Sequence, residues 1–300
     1  MSFDLERGLT LEPRQQPSVA LMADFHEAVL RQGALLYRDL PWRRTRDPYA
    51  IWISEVMLQQ TQVSRVEGRW ERWLDRFPTY DALARANSAD VLQEWQGMGY
   101  NRRALALLRA AQAISQLGAF PRDQSDLVAL PGIGPATAAG IRAFAHDLPG
   151  TYLETNVRTV FLHALYRQRM DVPDRELVPL VASACPKDAS NPEDDPRTWY
   201  YALLDYGAHL KRTLPNPSRR SRAHTVQSRF EGSHRQKRAE VLRIVLGAHA
   251  SLPTGEVADA LNHHELSAGR PPVPVPEVEA LLAELKKEGF ITNKAGYWSI

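Results

Sequence analysis

The chain has 300 residues, enough for one large domain or two smaller ones around a real core. Its composition is that of an ordinary soluble protein. It has no run of about 18 apolar residues to span a membrane and no apolar N-terminal stretch to act as a secretory signal, and its single cysteine, Cys185, excludes an intrachain disulfide and any all-cysteine metal site. The net charge of +2 does not announce a nucleic-acid partner, and a cytoplasmic protein without membrane contact is expected.

In chain order, residues 1–18 read as a short polar arm. Val19 to Tyr37 carries apolar residues at helical spacing. Asp47-Pro48 starts a second helix, with proline where a missing N–H costs little, and its apolar positions run through Ile51, Trp52, Val56, Met57 and Val63. Ser88 is placed as the cap of a helix that ends near Gly97, and Gly97-Met98-Gly99 forces a turn. Arg102 to Leu117 is helical, and so is a short stretch from Asp126 to Leu130. Pro131-Gly132-Ile133-Gly134 breaks that stretch, and Pro135 opens the next helix. Asn156 to Arg167 and Trp199 to Leu210 complete an all-α body over 19–214.

Residues 215–234 form a linker rich in Arg, Ser and Pro. From Lys211 to Arg238 the chain carries nine Lys or Arg against one acid, Glu231. Such a strip is either a solvated linker or a phosphate-binding surface, and Arg219, Arg220 and Arg222 are its candidate DNA contacts. Over 235–300, helices at Arg235–Ala248, Thr254–Leu261 and Pro276–Glu288 precede a terminal hairpin. Its strands are placed at 290–292 and 297–300, with a loop of about four residues at 293–296. Three helices and a hairpin suggest a winged-helix-like α+β domain, which serves DNA or protein contact alike.

Three segments carry chemistry. In Leu130–Ala138, Gly132 and Gly134 permit a tight turn and expose backbone N–H groups at a helix start, an arrangement that binds phosphate; a plain helix–helix turn has the same glycines. In Ser54–Gln62, Glu55 and Gln59 share a helix face, followed by the polar run Gln60, Thr61, Gln62. An isolated Glu is ordinarily just a solvated helix residue. In Tyr152–Arg158, Glu154 sits ahead of a helix that Thr155 or Asn156 is expected to cap.

Taken together with Leu40-Pro41-Trp42 and Gly97-Met98-Gly99-Tyr100, these segments occur in an order and spacing that resembles the adenine DNA glycosylases of the helix-hairpin-helix, endonuclease III-like superfamily, over roughly Leu40 to Leu210. The resemblance implies two α-helical lobes with double-stranded DNA bent across a cleft and the target base flipped into it. It implies Glu55 as the acid that protonates the leaving purine, which needs a carboxyl pKa raised by burial. It implies a second carboxylate, here Glu154, opposite the oxocarbenium-like sugar. Gln59, Gln60, Tyr100, Gly132, Gly134, Ala136, Thr137 and Asn156 would contact DNA, with Gln60 and Tyr100 resembling the wedge that fills the gap left by the base.

The chain also departs from that family. Glu154 stands where aspartate is usual, and its extra methylene moves the charge by about 1.5 Å unless the backbone compensates. Ala136 stands where bifunctional relatives carry a Schiff-base lysine; alanine is no nucleophile, so base removal without strand cutting is expected. Relatives hold an iron–sulfur cluster with four cysteines, whereas Lys211, Ser218, Ser221 and Gln227 stand at the corresponding places, so no cofactor and no metal is expected. The family's separate 8-oxoguanine-reading domain is not found, and the winged-helix candidate stands in its place. The reading is therefore a monomeric, monofunctional glycosylase acting on adenine opposite 8-oxoguanine or guanine. The alternatives are a thymine or uracil mismatch glycosylase, or a catalytically weak DNA-damage-binding protein.

Overall fold

A computed structural model describes residues 3–13, 15–187, 190–225, 229–248 and 250–300. Gln227 and the rest of 226–228 in the basic linker, and residues 1, 2 and 14 of the N-terminal arm, lie outside the described residues. Helices α1 (Val19–Leu36), α2 (Pro48–Leu58), α3 (Val63–Val66), α4 (Arg69–Arg76), α5 (Tyr80–Ala84) and α6 (Ser88–Glu94) come first. They are followed by α7 (Arg102–Leu117), α8 (Gln124–Ala129), α9 (Pro135–His146), α10 (Thr155–Leu165), α11 (Asp174–Ala184) and α12 (Pro196–Thr213). The C-terminal part contains α13 (His234–Gly247), β1 (Leu252–Pro253), α14 (Thr254–Ser267), α15 (Val275–Lys287), β2 (Thr292–Lys294) and β3 (Tyr297–Ser299). Short 3-10 turns lie at Pro41–Arg43 and Pro217–Arg220. Helices α3, α4, α5 and α11 were not legible in the sequence.

The chain divides into two compact units, each made of two segments. Unit 1 is Met1–Glu71 with Leu117–Thr225, and unit 2 is Arg72–Gln116 with Val226–Ile300. In unit 1, α12 packs against α1 and α10, and α2 packs against α9. Phe25 meets Phe161 and Trp199 edge-on, with centroids 5.2 and 6.1 Å apart, at the centre of this core. The N-terminal segment is no mere polar arm. Leu5 and Leu11 are buried in the same core, and the Leu9 and Leu11 N–H groups donate to the Ala164 and Leu165 carbonyls at 2.7 and 2.8 Å.

One ion cluster ties the two segments of unit 1 together. On α12, Asp205 accepts from Arg43 Nη1 and Nη2 at 2.7 and 2.9 Å and from Arg38 Nε at 2.5 Å. The Arg43 and Asp205 side chains are 1% and 0% exposed. The Arg43 guanidinium also lies over the Tyr201 ring, 4.2 Å from its centroid. Arg197 donates to the carbonyls of Arg43 and Thr45 at 2.6 and 2.9 Å, and to that of Phe144. The bonds to Arg43 and Thr45 satisfy carbonyls where the chain leaves the 3-10 turn and no helix or sheet ladder is present to do so.

In unit 2, Trp73 sits edge-on to Trp95 at 5.5 Å and to Phe77 at 5.1 Å. The carboxylate of Glu288 receives both Arg102, at 2.6 and 2.7 Å, and Arg238, which joins the unit's two segments. The sheet is antiparallel with order β1-β3-β2, and the register Asn293↔Trp298 and Leu252↔Trp298 places Trp298 between its neighbours. The hairpin turn is shorter than the four residues expected. Strand β2 runs to Lys294, and Ala295 and Gly296, with φ of 52° and 87°, form a two-residue turn whose twist matches the strands. Strand β1 is a further element that the sequence reading lacked. Helix α6 is capped by Asn87, whose side chain accepts from the Asp90 N–H, not by Ser88.

Asp205→Ala leaves Arg43 as an uncompensated buried charge. The loss expected is about 3–5 kcal/mol, and thermal denaturation should show a melting temperature lower by about 10 °C.

Candidate active site

The predicted carboxylates meet in one cavity of about 420 Å³ within unit 1, a size that fits small ligands. Helix α2 brings Glu55 to it because its N-terminus is fixed: Asp47 caps it by accepting from the Tyr49 and Ala50 N–H groups at 3.1 and 3.3 Å, with Pro48 in the first turn. Residues 49–54, 56 and 57 of this helix are buried; Ile51, Ser54, Glu55 and Leu58 line the cavity, and Glu55 brings a carboxyl to it. Helix α2 stops at Leu58 and does not continue to Val63. Gln59 leaves the helical backbone with ψ 112°, and Gln60 takes a left-handed φ of 56°. That turn directs Gln59 Nε2 to donate to Thr137 Oγ1 on α9, at 3.0 Å. A non-glycine left-handed residue costs of order 1 kcal/mol, and such strain gathers at functional sites.

Burial pushes the Glu55 carboxyl up to about 8, and the charge of Glu154 adds to the rise; a hydrogen bond from Tyr152 and the charge of Arg43 oppose it. An acid so placed carries its proton at neutral pH. Glu154 departs from the expected arrangement. It is itself the N-cap of α10, in place of Thr155 or Asn156, and its Oε1 accepts from the Asn156 and Val157 N–H groups at 2.5 and 3.0 Å. The longer side chain folds back on the helix end, where a negative charge is favoured. Burial raises its pKa, while those two backbone bonds, Lys211 and Arg158 lower it.

The hairpin between α8 and α9 leads into residues that line the same cavity. Gly132 has a φ of 78°, which glycine adopts without the strain other residues incur, and Gly134 caps α9 without any side-chain acceptor. The first N–H groups of α9 are therefore not capped by a side chain, and Ala136 and Thr137 behind them line the cavity. Thus Glu55, Glu154, Gln59, Gln60, Ala136, Thr137 and Asn156 share one cavity. Gly132 and Gly134 are exposed just ahead of it in sequence. Tyr100 is an exposed residue of unit 2, with a φ of 49° and the Arg103 guanidinium 5.4 Å from its ring.

The basic strip is largely engaged. Lys211 Nζ donates to Asn156 Oδ1 at 3.0 Å, Arg222 holds Asp171 at 2.5 and 2.9 Å, and Arg220 donates to the Arg167 carbonyl. Arg219 is exposed on the 3-10 turn. Ser218 Oγ donates to Asn216 Oδ1 at 2.8 Å, and Ser221 Oγ accepts from the Ala223 N–H at 3.1 Å. Iron–sulfur clusters are held by thiolates, so these hydroxyl and ammonium groups do not fit one. Cys185 is buried at the end of α11. Among the described residues, no group of three or more His, Cys, Asp or Glu is placed to hold a metal ion. None of the helices there is long and apolar enough to cross a membrane.

Sequence reasoning missed Tyr152, Gly140, Arg43 and Asp205. Nothing in their local pattern marks them, because each matters through a partner far away in the chain.

Comparison with known proteins agrees with this geometry. Residues 53–187 match the profile of the HhH-GPD superfamily base excision DNA repair proteins. The chain shares its fold with a thermostable thymine-DNA glycosylase (TM-score 0.54, 22% identity, covering 62% of this chain and 86% of that one). The same holds for an endonuclease III trapped in a covalent intermediate with DNA (TM-score 0.52, 15% identity, covering 73% and 94%). The chain thus has the fold of these solved structures, and residues 53–187 are the stretch similar to the HhH-GPD proteins.

Curated proteins similar to the chain include adenine DNA glycosylases. The chain is 40% identical over 174 residues to that of Mycolicibacterium smegmatis, covering 57% of this chain and 58% of the relative. It is 42% identical over 133 residues to that of Mycobacterium tuberculosis, covering 43% and 44%. The human enzyme is 37% identical over 176 residues, covering 51% and 32%. The chain thus spans about half the length of the curated relatives it matches.

The raised pKa of Glu55 has a consequence for stability. Between 4.5 and about 8 the folded chain keeps a Glu55 proton that the unfolded chain has lost. This contribution is fully present below 4.5, shrinks as the pH rises, and is gone above about 8. Denaturant unfolding across pH should therefore show the native chain losing stability relative to Glu55→Gln over that window, with a constant difference outside it.

Proposed function

We propose that this protein is a monofunctional DNA glycosylase of base excision repair that hydrolyses the N-glycosidic bond of a flipped, mispaired base, adenine opposite 8-oxoguanine or guanine. The observation that carries the proposal is a protonated carboxyl, Glu55, inside a cavity wide enough for a base and walled by the start of the hairpin helix α9. The acid protonates the leaving purine and so stabilises the departing base. General acid catalysis of this kind contributes about 10²–10⁴-fold. Loss of the base leaves an oxocarbenium-like sugar, and Glu154, beside the same cavity, supplies the opposing negative charge. The α9 N-terminus offers backbone donors to a DNA phosphate.

Ala136 lines the cavity where a nucleophilic lysine would have to stand, and it supports base removal without strand cleavage. Lys211, Ser218 and Ser221 support activity without an iron–sulfur cluster, because their side chains are already bonded to protein groups. The adenine preference rests on the homologues and on the Gln59–Thr61 run at the cavity rim. The protein acts as a monomer on double-stranded DNA, in contact with the nucleoid. The C-terminal helices and sheet form a winged-helix-like domain.

The test uses labelled duplexes carrying A·8-oxoG, A·G, T·G and U·G, each assayed with and without hot alkali. Strand breaks at adenine that appear only after alkali are expected, and Glu55→Gln should lower the rate by about 10²–10⁴-fold while retaining binding. Breaks without alkali, or excision confined to T·G and U·G, would contradict the proposal. Binding without excision on all four duplexes points to a damage-binding protein instead.

A further inference from the structure

Resting on the glycosylase reading above, we propose that Tyr152 is a positioning residue for the Glu55 carboxyl, and that glycine at position 140 leaves the space in which the two side chains meet. Gly140 lies on α9, on the side facing α2. A β-carbon added to it would stand 2.4 Å from Glu55 Oε2, 3.1 Å from Glu55 Cδ and 2.8 Å from Tyr152 Cε2. Such distances are far inside van der Waals contact, so the carboxyl and the phenol ring converge over the bare α-carbon. Alanine, with its single extra methyl, would displace one of them.

The phenol is held between two rings. Phe144 and Tyr200 pack edge-on against the Tyr152 ring with centroids 5.3 Å away in each case. The Tyr152 N–H donates to Tyr200 Oη at 3.2 Å, and Tyr200 Oη in turn donates to the Gly150 carbonyl. A ring clamped in this way presents its hydroxyl to Glu55 in one orientation. Burial keeps the Tyr152 hydroxyl protonated well above its usual range, so it remains a donor at any pH the enzyme meets. Its hydrogen bond to Glu55 favours the carboxylate, while burial favours the acid.

The other groups facing Glu55 are Arg43 from the 3-10 turn, Glu154 from the cap of α10 and Tyr201 from α12. Arg38 and Arg158 also line the cavity. Arg43 is held by Asp205, and Glu154 is bonded to the α10 backbone. Tyr152 is thus the side chain that hydrogen-bonds the acid itself; it orients the carboxyl and lowers the pH at which the proton is lost, against the larger effect of burial.

The test is Tyr152→Phe, which keeps the ring and removes the hydroxyl. The expected result is a single-turnover excision rate lower by about tenfold at neutral pH. The alkaline limb of the profile should move up by roughly half a pH unit, because a bond that favours the carboxylate is gone. Duplex binding should be unchanged, and the melting temperature should stay within about 2 °C. A rate and profile that superimpose on the parent overturn the proposal, and so does a rate loss that follows a fall in melting temperature without any shift of the limb. Gly140→Ala gives a second reading: a loss of at least about tenfold is expected, and full activity contradicts the idea. Should the parent excise nothing, the glycosylase reading fails by itself. The pairing is then read from stability: the pH window over which the chain and its Glu55→Gln variant diverge must extend to higher pH in the Tyr152→Phe background, and an unchanged window refutes it.

Discussion

A carboxylic acid in water gives up its proton near pH 4, and one that must deliver a proton to a base near neutrality has to be kept from doing so. Here the constraint is met by desolvation. Helix α2 is buried along almost its whole length, and Glu55 is the one polar group with a carboxyl that it turns into the cavity. Burial is the largest influence on that carboxyl, larger than any neighbouring charge. Much of unit 1 can be understood as what is required to keep the carboxyl dry and still: the Asp47 cap that sets the helix axis, the bare α-carbon at 140, and the clamped Tyr152 ring.

Desolvation alone would not suffice beside an arginine. A free guanidinium next to Glu55 would favour the carboxylate and undo the effect of burial. Asp205 takes both Nη atoms of Arg43, and the Tyr201 ring covers its face; of the four influences on the Glu55 carboxyl, the charge of Arg43 is the least. Glu154 is restrained in a similar way. Its charge is held at the α10 N-terminus by two backbone donors, which places a negative group at the cavity wall without letting it swing onto the acid. The methylene that distinguishes it from aspartate is absorbed by the fold-back onto the cap. Lys211 reaches Asn156, in the first turn of α10.

Much of this arrangement was legible in the sequence. Glu55, the glycines at 132 and 134, and Glu154 stand out because a functional group or a forced turn interrupts a helical pattern there. Helices α1, α7 and α9 follow from apolar periodicity, and the C-terminal trio of helices from the same signal. What failed to show was nonlocal or depended on a single torsion. The end of α2 at Leu58 is decided by a left-handed Gln60, which no residue preference announces. The Glu154 cap breaks the usual preference for shorter side chains. Tyr152 and Gly140 mean little apart and acquire their roles only when α9 packs on α2. The buried leucines at 5 and 11 are too sparse to betray a packed segment among so many charges. The pairing of 72–116 with 226–300 into one unit joins segments more than a hundred residues apart.

The proposed acid catalysis needs Glu55 to hold its proton, and that protonation state can be observed directly. In protein labelled with carbon-13 at the glutamate carboxyls, the Glu55 resonance, assigned by its disappearance in Glu55→Gln, should titrate with a midpoint near 8 in the free protein. A midpoint near the 4.5 of an ordinary glutamate would mean a solvated carboxylate at neutral pH, and the proposed acid would have no proton to give.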